Sequence, residues 1–277
     1  AESAIANDEM INIQYKIEAQ DLQDLQYGTA SAKIMTLSFW VKSSITGTYA
    51  VSVYKDDSAT RIINRDYTIN SANTWEKKTI SIVGDTDSTG SIVNDNGDGF
   101  RIIWGLASGS TYDGSSSTSW TDYTNAHFLG GHAQDGVITT AGADWYLTGV
   151  QLEIGTSSTP FEHRPIGTEL SLCQRYCTVM SLSNLAGRGS SASSVVFGVS
   201  TPTTMRAVPT VRSYSGTIYV FTPSNNGSGT GAIGIDTGSL NLSFPAHFRL
   251  SLGGVSNVSD NRCCTVEISG LQLEAEL

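Results

Sequence analysis

Residues 147–153 read LTGVQLE, and residues 268–274 repeat the pattern as ISGLQLE, 121 positions later. Four of the seven positions are identical, and the other three exchange similar side chains. Because the second copy of this motif stands at the end of the chain, we expect each copy to form the last strand of a structural unit. The repeat therefore predicts two tandem domains, the first covering residues 1–156.

Alternation of apolar and polar residues predicts β-strands along most of the chain. Turn residues interrupt the pattern at short intervals, which is typical of an all-β sandwich or barrel. Three rows are expected to face a core: Leu37, Phe39 and Val41; Tyr49, Val51 and Val53; and Phe100, Ile102 and Trp104. In the repeated motif, the apolar residues change from one face of the strand to the other at Gly149. We therefore predict a β-bulge there and a second one at Gly270.

The composition excludes several classes of function. The net charge is −10, with 16 basic against 26 acidic residues, which argues against nucleic-acid binding because that function needs a basic face. An acidic chain also has no electrostatic attraction to an anionic membrane surface. No apolar run approaches the roughly 20 residues of a membrane-spanning helix.

The segment 157–167 contains Pro160 and Pro165, which disfavour both a helix interior and a central strand. We predict an extended connector here, with Phe161 filling a groove on the first domain. The second domain, 168–277, is then expected to open with a helix capped by Thr168. Leu170 and Cys173 continue as an apolar stripe toward residues 176 and 177.

Strands are expected to resume in the second domain at 195–199, 217–221, 240–244 and 248–252. Between them, residues 224–234 are rich in Gly, Ser and Asn and predict a loop.

No cofactor is expected. The chain has four cysteines, Cys173, Cys177, Cys263 and Cys264, whose spacing fits free thiols better than a zinc site. Residues 94–99, NDNGDG, imitate the start of a calcium loop, but Gly105 stands where the twelfth position requires Glu. A turn without metal is favoured, and a structural calcium elsewhere stays open.

The sequence predicts a protein that is not an enzyme. It lacks GxSxG and HExxH motifs, and its histidines are scattered at His127, His132, His163 and His247. A pair of acids for glycoside hydrolysis stays open, because the spacing of such a pair is purely three-dimensional.

Aromatic side chains are the candidate ligand-binding residues, because flat rings stack on the apolar faces of sugars. Trp40 and Tyr54 stand on the polar sides of their strands and would line a groove if they share one sheet face. Tyr112, Trp120 and Tyr123 lie in a Gly/Ser-rich stretch, and Trp120 is expected to be exposed. For each ring, packing or an interface between subunits is the alternative.

Several stretches carry a family resemblance in a fixed order. They are 16–23 (KIEAQDLQ), 36–43 (TLSFWVKS), 46–49 (TGTY), 74–80 (TWEKKTI), 148–155 (TGVQLEIG), 159–164 (TPFEHR), 169–176 (ELSLCQRY) and 205–210 (MRAVPT). Together they resemble tailed-phage virion proteins of the tail-fibre type. The chain departs from that family at Cys177, where members usually carry an aromatic residue.

The resemblance implies a jelly-roll domain like a carbohydrate-binding module, followed by a short helix and a smaller β-sandwich-like domain. It also implies a virion structural protein, a tail fibre or spike component, that displays a host-surface glycan-binding domain. We expect a homo-oligomer, a trimer by preference, with other virion proteins and a host glycan as partners and neither nucleic acid nor membrane. Two alternatives stay open: a capsid-decorating or connecting head protein without a ligand, and a glycan-binding module of a secreted bacterial protein.

Overall fold

A computed structural model describes residues 5–132, 136–191, 194–222, 225–229, 233–235, 247–253 and 263–275. The chain divides into two compact units, Ala1–His163 and Arg164–Leu277. Antiparallel strands dominate both units, so the all-β prediction is confirmed.

The first unit is a β-sandwich of two antiparallel sheets. Its strands are β1 Met10–Glu18, β2 Met35–Ser43, β3 Gly47–Lys55, β4 Arg61–Ile69, β5 Glu76–Ile82, β6 Asp98–Ser108, β7 Thr121–Asp122 and β8 Trp145–Ile154. One sheet has the order β1-β6-β3-β4-β7, and the other has the order β5-β2-β8. The chain crosses between the sheets repeatedly, as jelly-roll connectivity requires. Short 3-10 helices at Ala19–Leu25, Ser88–Gly90 and Asn125–His127, and the helix α1 Gly136–Thr139, lie in the connections.

The core forms where the inner faces of the two sheets meet. The Phe39 ring on β2 lies edge-on to Tyr67 of β4 at 5.2 Å and to Trp104 of β6 at 5.8 Å between centroids. All three predicted rows face this core and are buried to 2% exposure or less, as alternation across a pleated strand requires. The core assignment of these rows is confirmed.

The predicted bulge at Gly149 is confirmed. Ser38 pairs with Gln151 and Trp40 with Thr148, so two residues of β8 stand opposite one residue of β2. Gly149 takes a φ of +57°, a left-handed conformation that favours glycine. In the second unit the pairing near Gly270 slips in the same way, which confirms the second bulge.

The second unit holds the helix α2, Ile166–Gln174, and a seven-stranded antiparallel sheet. Its strands are β9 Cys177–Ser191, β10 Ser194–Ser200, β11 Thr210–Thr222, β12 Asn225–Gly229, β13 Ile233–Ile235, β14 His247–Gly253 and β15 Cys263–Glu274. They run in the order β12-β11-β15-β9-β10-β14-β13. β13, the last strand of this order, comes within 8 Å of β11 between Cα atoms, so the sheet curls upon itself.

The start of the helix was predicted wrongly. Pro165, not Thr168, occupies the N-cap position, and its carbonyl accepts hydrogen bonds from the Thr168 and Glu169 N–H groups. The dihedral φ of proline suits a helix entry, so the helix begins as soon as the connector's second proline has passed. It also ends at Gln174, before Cys177, which is the first residue of β9.

The predicted loop at 224–234 is wrong where it meets β12 and β13. β12 is rich in Gly, Ser and Asn and β13 is only three residues long, so composition alone does not reveal the backbone pairing that holds them. The expected strands at 195–199, 217–221 and 248–252 fall within β10, β11 and β14, whereas the one at 240–244 lies outside the described residues.

Candidate functional site

The outer face of the three-stranded sheet carries a group of exposed aromatic rings. Trp40 and Lys42 alternate along β2 with Phe39 and Val41, which are fully buried, so their side chains point away from the core. Tyr146 stands opposite Lys42 on β8. Trp40 is 40% exposed and Tyr146 is 45% exposed.

Trp75 completes the group from the turn that precedes β5, and 42% of its surface is exposed. The Lys42 ammonium lies 4.3 Å from the Tyr146 centroid and 5.6 Å from the Trp75 centroid. The two rings are 6.3 Å apart and tilted by 55°. We call Trp40, Lys42, Trp75 and Tyr146 the aromatic–lysine patch. Cation–π attraction of about 0.5–1 kcal/mol per exposed ring keeps Lys42 between its neighbours.

The turn that presents Trp75 is held by Glu76. The Glu76 carboxylate accepts hydrogen bonds from the backbone N–H groups of Asn70 and Ser71 and from the Asn70 amide. Lys78 donates to the same carboxylate at 2.5 Å. These donors, with Lys78 first, lower the pKa of Glu76 to about 2. The carboxylate therefore stays charged and closes the turn at any pH near neutrality.

Phe161 comes from the connector and borders the patch beside the bulge. A Cβ added at Gly149 would lie 3.2 Å from the Trp40 ring and 3.9 Å from the Phe161 ring. The bare glycine thus lets both rings approach the strand backbone. Phe161 also meets the His163 ring edge-on at 5.0 Å. Its 43% exposure means that it covers the bulge without being enclosed in a groove.

Gln151 and Glu153, the polar residues at the end of the 147–153 motif, fix the connector to the sandwich. The Gln151 side chain accepts from the Glu162 N–H at 2.9 Å and donates to the Thr159 hydroxyl at 3.0 Å. Glu153 accepts from the Thr159 N–H and hydroxyl, and the Gln151 and Thr159 hydrogen bonds lower the pKa of Glu153. Ser158 lies 3.5 Å from the Lys77 ammonium. The connector is therefore bound along the same sheet face as the patch.

The structure separates two residues that the sequence placed in one possible groove. Trp40 points outward from the three-stranded sheet, whereas Tyr54 points outward from the five-stranded sheet. The two rings lie on opposite outer faces of the sandwich. A groove shared by Trp40 and Tyr54 is therefore wrong, because alternation fixes a side of one strand but not which sheet the strand joins.

The outer face of the five-stranded sheet is covered by residues 109–131, which we call the covering loop. Tyr54 is only 8% exposed and packs edge-on against Tyr123 at 5.0 Å and Phe128 at 6.1 Å. Tyr112 also contacts Phe128, with 6.2 Å between ring centroids. Burial, first among the causes, raises the pKa of Tyr54 to about 12. Tyr54, Tyr112 and Tyr123 therefore pack around Phe128 in one cluster.

Trp120 is not the exposed ring that the sequence predicts. It stacks on Phe100 at 5.9 Å and meets Tyr27 edge-on at 5.6 Å, so it joins the main core. Its indole N–H donates to the Val83 carbonyl at 2.7 Å. A Gly/Ser-rich neighbourhood suggested exposure, but the Trp120 ring packs against the core residues Phe100 and Tyr27.

Sequence reasoning passed over Lys42, Tyr146 and Trp75 as site residues. Two signals were present in the pattern: Lys42 follows Trp40 by two positions, and Tyr146 stands between the inward-facing Trp145 and Leu147. Both spacings place the side chain on an outer face. The pairing of β2 with β8, which brings Lys42 and Tyr146 together, needed the structure.

Nothing in the described ranges gathers three or more His, Cys, Asp or Glu side chains in a way that could hold a metal ion. In the calcium-like stretch, Asp95 accepts from the Gly97 N–H at 2.8 Å and Asp98 pairs with Arg101 at 2.6 Å. Cys173 and Cys177 are free thiols. The side chains of Cys263, Cys264 and His247 lie outside the described set.

Among described residues, no helix is long and apolar enough to cross a membrane.

Two of the histidines have polar partners. His127 Nδ1 lies 3.0 Å from the Ser115 hydroxyl, and His132 Nε2 lies 3.4 Å from an Asp66 carboxylate oxygen. Ser115 and His127 both belong to the covering loop, so their hydrogen bond ties two parts of that loop together.

Comparison with known proteins adds no relative: no family model, no curated protein and no solved structure matches this chain. The fold defines the class, an all-β protein whose first unit is a two-sheet sandwich.

Proposed function

We propose that this chain is a structural component of a phage virion, a tail fibre or spike, whose first unit binds a host-surface glycan. The motif order described above supports the virion assignment. The aromatic–lysine patch supports the glycan assignment and is the single observation that carries it. Exposed rings at this density are costly to leave in water, so a protein retains them where they meet a partner.

The patch has the size and chemistry of a small sugar site. Residues two apart on a strand are about 7 Å apart, and three strands span about 10 Å, which matches one or two sugar rings. Trp75 and Tyr146 offer flat faces for stacking, and Lys42 lies between them as a hydrogen-bond donor. The Lys42 ammonium also suits an acidic sugar, because cation–π contacts leave its N–H groups able to meet a carboxylate.

Stacking on one exposed ring contributes about 1 kcal/mol, so a single contact is weak. Display of several copies on one particle makes later contacts effectively intramolecular and raises the avidity. We propose a homo-oligomer, a trimer by preference, assembled with other virion proteins. In this proposal the chain binds without covalent chemistry, so purified protein releases no reducing ends from a polysaccharide.

The test uses the full chain and an array of bacterial surface polysaccharides, together with adsorption to host cells. A Trp75→Ala, Tyr146→Ala double variant removes two stacking rings, and we expect binding to fall at least about tenfold. Tyr15→Ala is the matched control, because Tyr15 is a 60% exposed ring on β1, outside the patch.

We expect the control to bind as the unaltered chain does. Equal binding by a folded double variant would contradict the glycan role of the patch and favour a purely structural virion protein. Release of reducing ends by the purified chain would contradict the absence of covalent chemistry.

A further inference from the structure

The chain contains two Asn–Gly dipeptides, at residues 96–97 and at residues 226–227. Asparagine is chemically labile in proteins, and a following glycine favours its reaction because no Cβ keeps the glycine nitrogen away from the asparagine side chain. The second dipeptide belongs to β12 and is held by backbone pairing with β11. The first lies in a bend just ahead of β6, where Asn96 is exposed.

The bend places the Gly97 backbone nitrogen beside a carboxylate. The Gly97 N–H donates to Asp95 Oδ1 at 2.8 Å. A Cβ added at Gly97 would lie 2.9 Å from the same oxygen, so this close approach favours glycine. The N–H group therefore faces a side chain that can act as a general base, whereas the backbone of the second dipeptide is part of a ladder.

We propose that Asn96 is a site of spontaneous deamidation, with water as the only co-reactant. Asp95 takes the proton from the Gly97 nitrogen, whose electron pair forms a bond to Asn96 Cγ. The Cγ–Nδ2 bond then breaks, and the departing nitrogen takes up that proton and leaves as ammonia. A five-membered succinimide ring remains.

Water opens this ring at either of its two carbonyl carbons. The hydroxyl of water joins the attacked carbon, that carbon's bond to the Gly97 nitrogen breaks, and the nitrogen regains a hydrogen. Opening at Cγ gives aspartate, and opening at the backbone carbonyl of residue 96 gives isoaspartate. In isoaspartate the backbone runs through Cβ and Cγ, so it is one bond longer, and both products replace a neutral amide with a carboxylate.

A longer backbone in the bend disturbs two hydrogen bonds that hold it. The Asp95 carbonyl accepts from the Gln20 N–H at 2.7 Å. The Gly97 carbonyl accepts from the Ala19 N–H at 3.0 Å. These two donors open the first 3-10 helix of the sandwich, which places leucine side chains in the main core. Isoaspartate between the two carbonyls is therefore expected to loosen this helix.

The first measurement uses the unaltered full chain, which is aged at neutral pH, sampled at intervals, digested and analysed by peptide mass. Deamidation raises the mass of a peptide by the difference between water and ammonia. We expect Asn96 to react at least about tenfold faster than Asn226 in the folded protein, because only Asn96 has the general base in place. In urea-unfolded chain, where neither setting persists, the two dipeptides should react at similar rates.

The second measurement tests the general base. Asp95→Asn keeps an oxygen that can accept the Gly97 N–H but loses the carboxylate, so we expect deamidation of Asn96 to slow at least about tenfold. Asp24→Asn is the matched control, because it removes an exposed carboxylate outside the bend, and its rate should equal that of the unaltered chain.

The third measurement concerns stability. Aged chain that carries isoaspartate at residue 96 should melt about 2–4 °C below fresh chain, as the loss of one backbone hydrogen bond implies. Asn96→Gln should keep its melting temperature on ageing, because its longer side chain would have to close a six-membered ring.

Two results would overturn the proposal: a ratio of the two deamidation rates that is the same in folded and unfolded chain, or an unchanged rate in folded Asp95→Asn. If that variant does not fold, the rate ratio in the unaltered chain decides. Isoaspartate without a lower melting temperature would contradict the role of the two carbonyls. The proposal is independent of glycan binding, because the bend contains no residue of the aromatic–lysine patch.

Discussion

The two outer faces of the sandwich make opposite use of aromatic side chains. On the five-stranded sheet, Tyr54 lies under the covering loop and is 8% exposed. On the three-stranded sheet, Trp40, Trp75 and Tyr146 are each at least 40% exposed. Both faces carry outward rings beside a basic side chain, since Arg101 lies 5.4 Å from the Tyr54 ring as Lys42 lies beside Tyr146.

The difference lies in what the chain places over each face. The covering loop lays Phe128 and its neighbours on one sheet, whereas the connector is bound along only part of the other. An outward ring is therefore buried or left exposed according to a distant segment of the chain. Experiments that alter one face at a time test this contrast.

The largest effect is expected from the anchor of the covered face. Asn64 is fully buried; its amide donates to the Ser52 hydroxyl at 2.7 Å and to the His127 carbonyl at 2.8 Å. Its carbonyl oxygen accepts from the Ser117 N–H at 2.8 Å. Asn64→Ala leaves these three groups without their hydrogen-bond partner, and each loss costs about 1 kcal/mol or more. We therefore expect the free energy of unfolding, measured in urea, to fall by about 3 kcal/mol.

The matched control is Asn12→Ala, which removes an exposed amide acceptor and should change the unfolding free energy by less than about 0.5 kcal/mol. Array binding by folded Asn64→Ala should match that of the unaltered chain. An Asn64→Ala protein as stable as the control would mean that the covering loop is not held through this amide.

A middle-sized effect should separate Trp120, which the sequence predicts to be exposed, from Trp75, which is exposed in the structure. Trp120 packs against Phe100 and Tyr27 and donates to a backbone carbonyl, so Trp120→Ala should cost about 2 kcal/mol of unfolding free energy, below the roughly 3–5 kcal/mol of a fully buried ring. Trp75→Ala should cost less than about 1 kcal/mol, because its ring is 42% exposed.

Binding should reverse that order, with Trp75→Ala weakening array binding and folded Trp120→Ala leaving it unchanged. Thermal unfolding and array binding measured on the same two proteins decide the matter. A binding loss confined to Trp120→Ala would favour the ligand site around Trp120 that the sequence suggested. It would contradict a ligand role for the aromatic–lysine patch.

The sequence predicted most of the strand pattern because alternation reports burial directly. Phe39, Val51 and Ile102 were each assigned to the core from their spacing alone. Even the bulge at Gly149 could be predicted, since an extra residue in a strand changes the parity of its apolar side and glycine tolerates the bulged conformation. These features depend on neighbours within a few residues.

The aromatic–lysine patch could be predicted only in part, because it depends on contacts between distant segments. Trp40 was identified correctly as an outward ring, but Lys42 and Tyr146 meet through strand pairing across about a hundred residues. Tyr54 looked equivalent to Trp40 until a loop some seventy residues away covered it. Local patterns give the side of a strand, not the segment that shields it.

The smallest effect concerns the turn that presents Trp75 on the uncovered face. Folding lowers the pKa of Glu76 from 4.5 to about 2, with Lys78 as the first cause. A depressed carboxyl pKa stabilises the fold above the unfolded value, and this contribution is lost as the pH falls through the folded value. We therefore expect the melting temperature of the unaltered chain to decline between about pH 5 and pH 2, and the melting temperature of Glu76→Gln to decline less over that interval.

Glu162→Gln is the control, because it removes one exposed carboxylate from the connector and leaves the Asn70–Ser71 turn intact. Its melting temperature should therefore follow that of the unaltered chain at each pH. Parallel acid profiles for Glu76→Gln and the unaltered chain would show that the carboxylate does not hold the Trp75 turn, and the patch would then depend on strand pairing and the bulge alone.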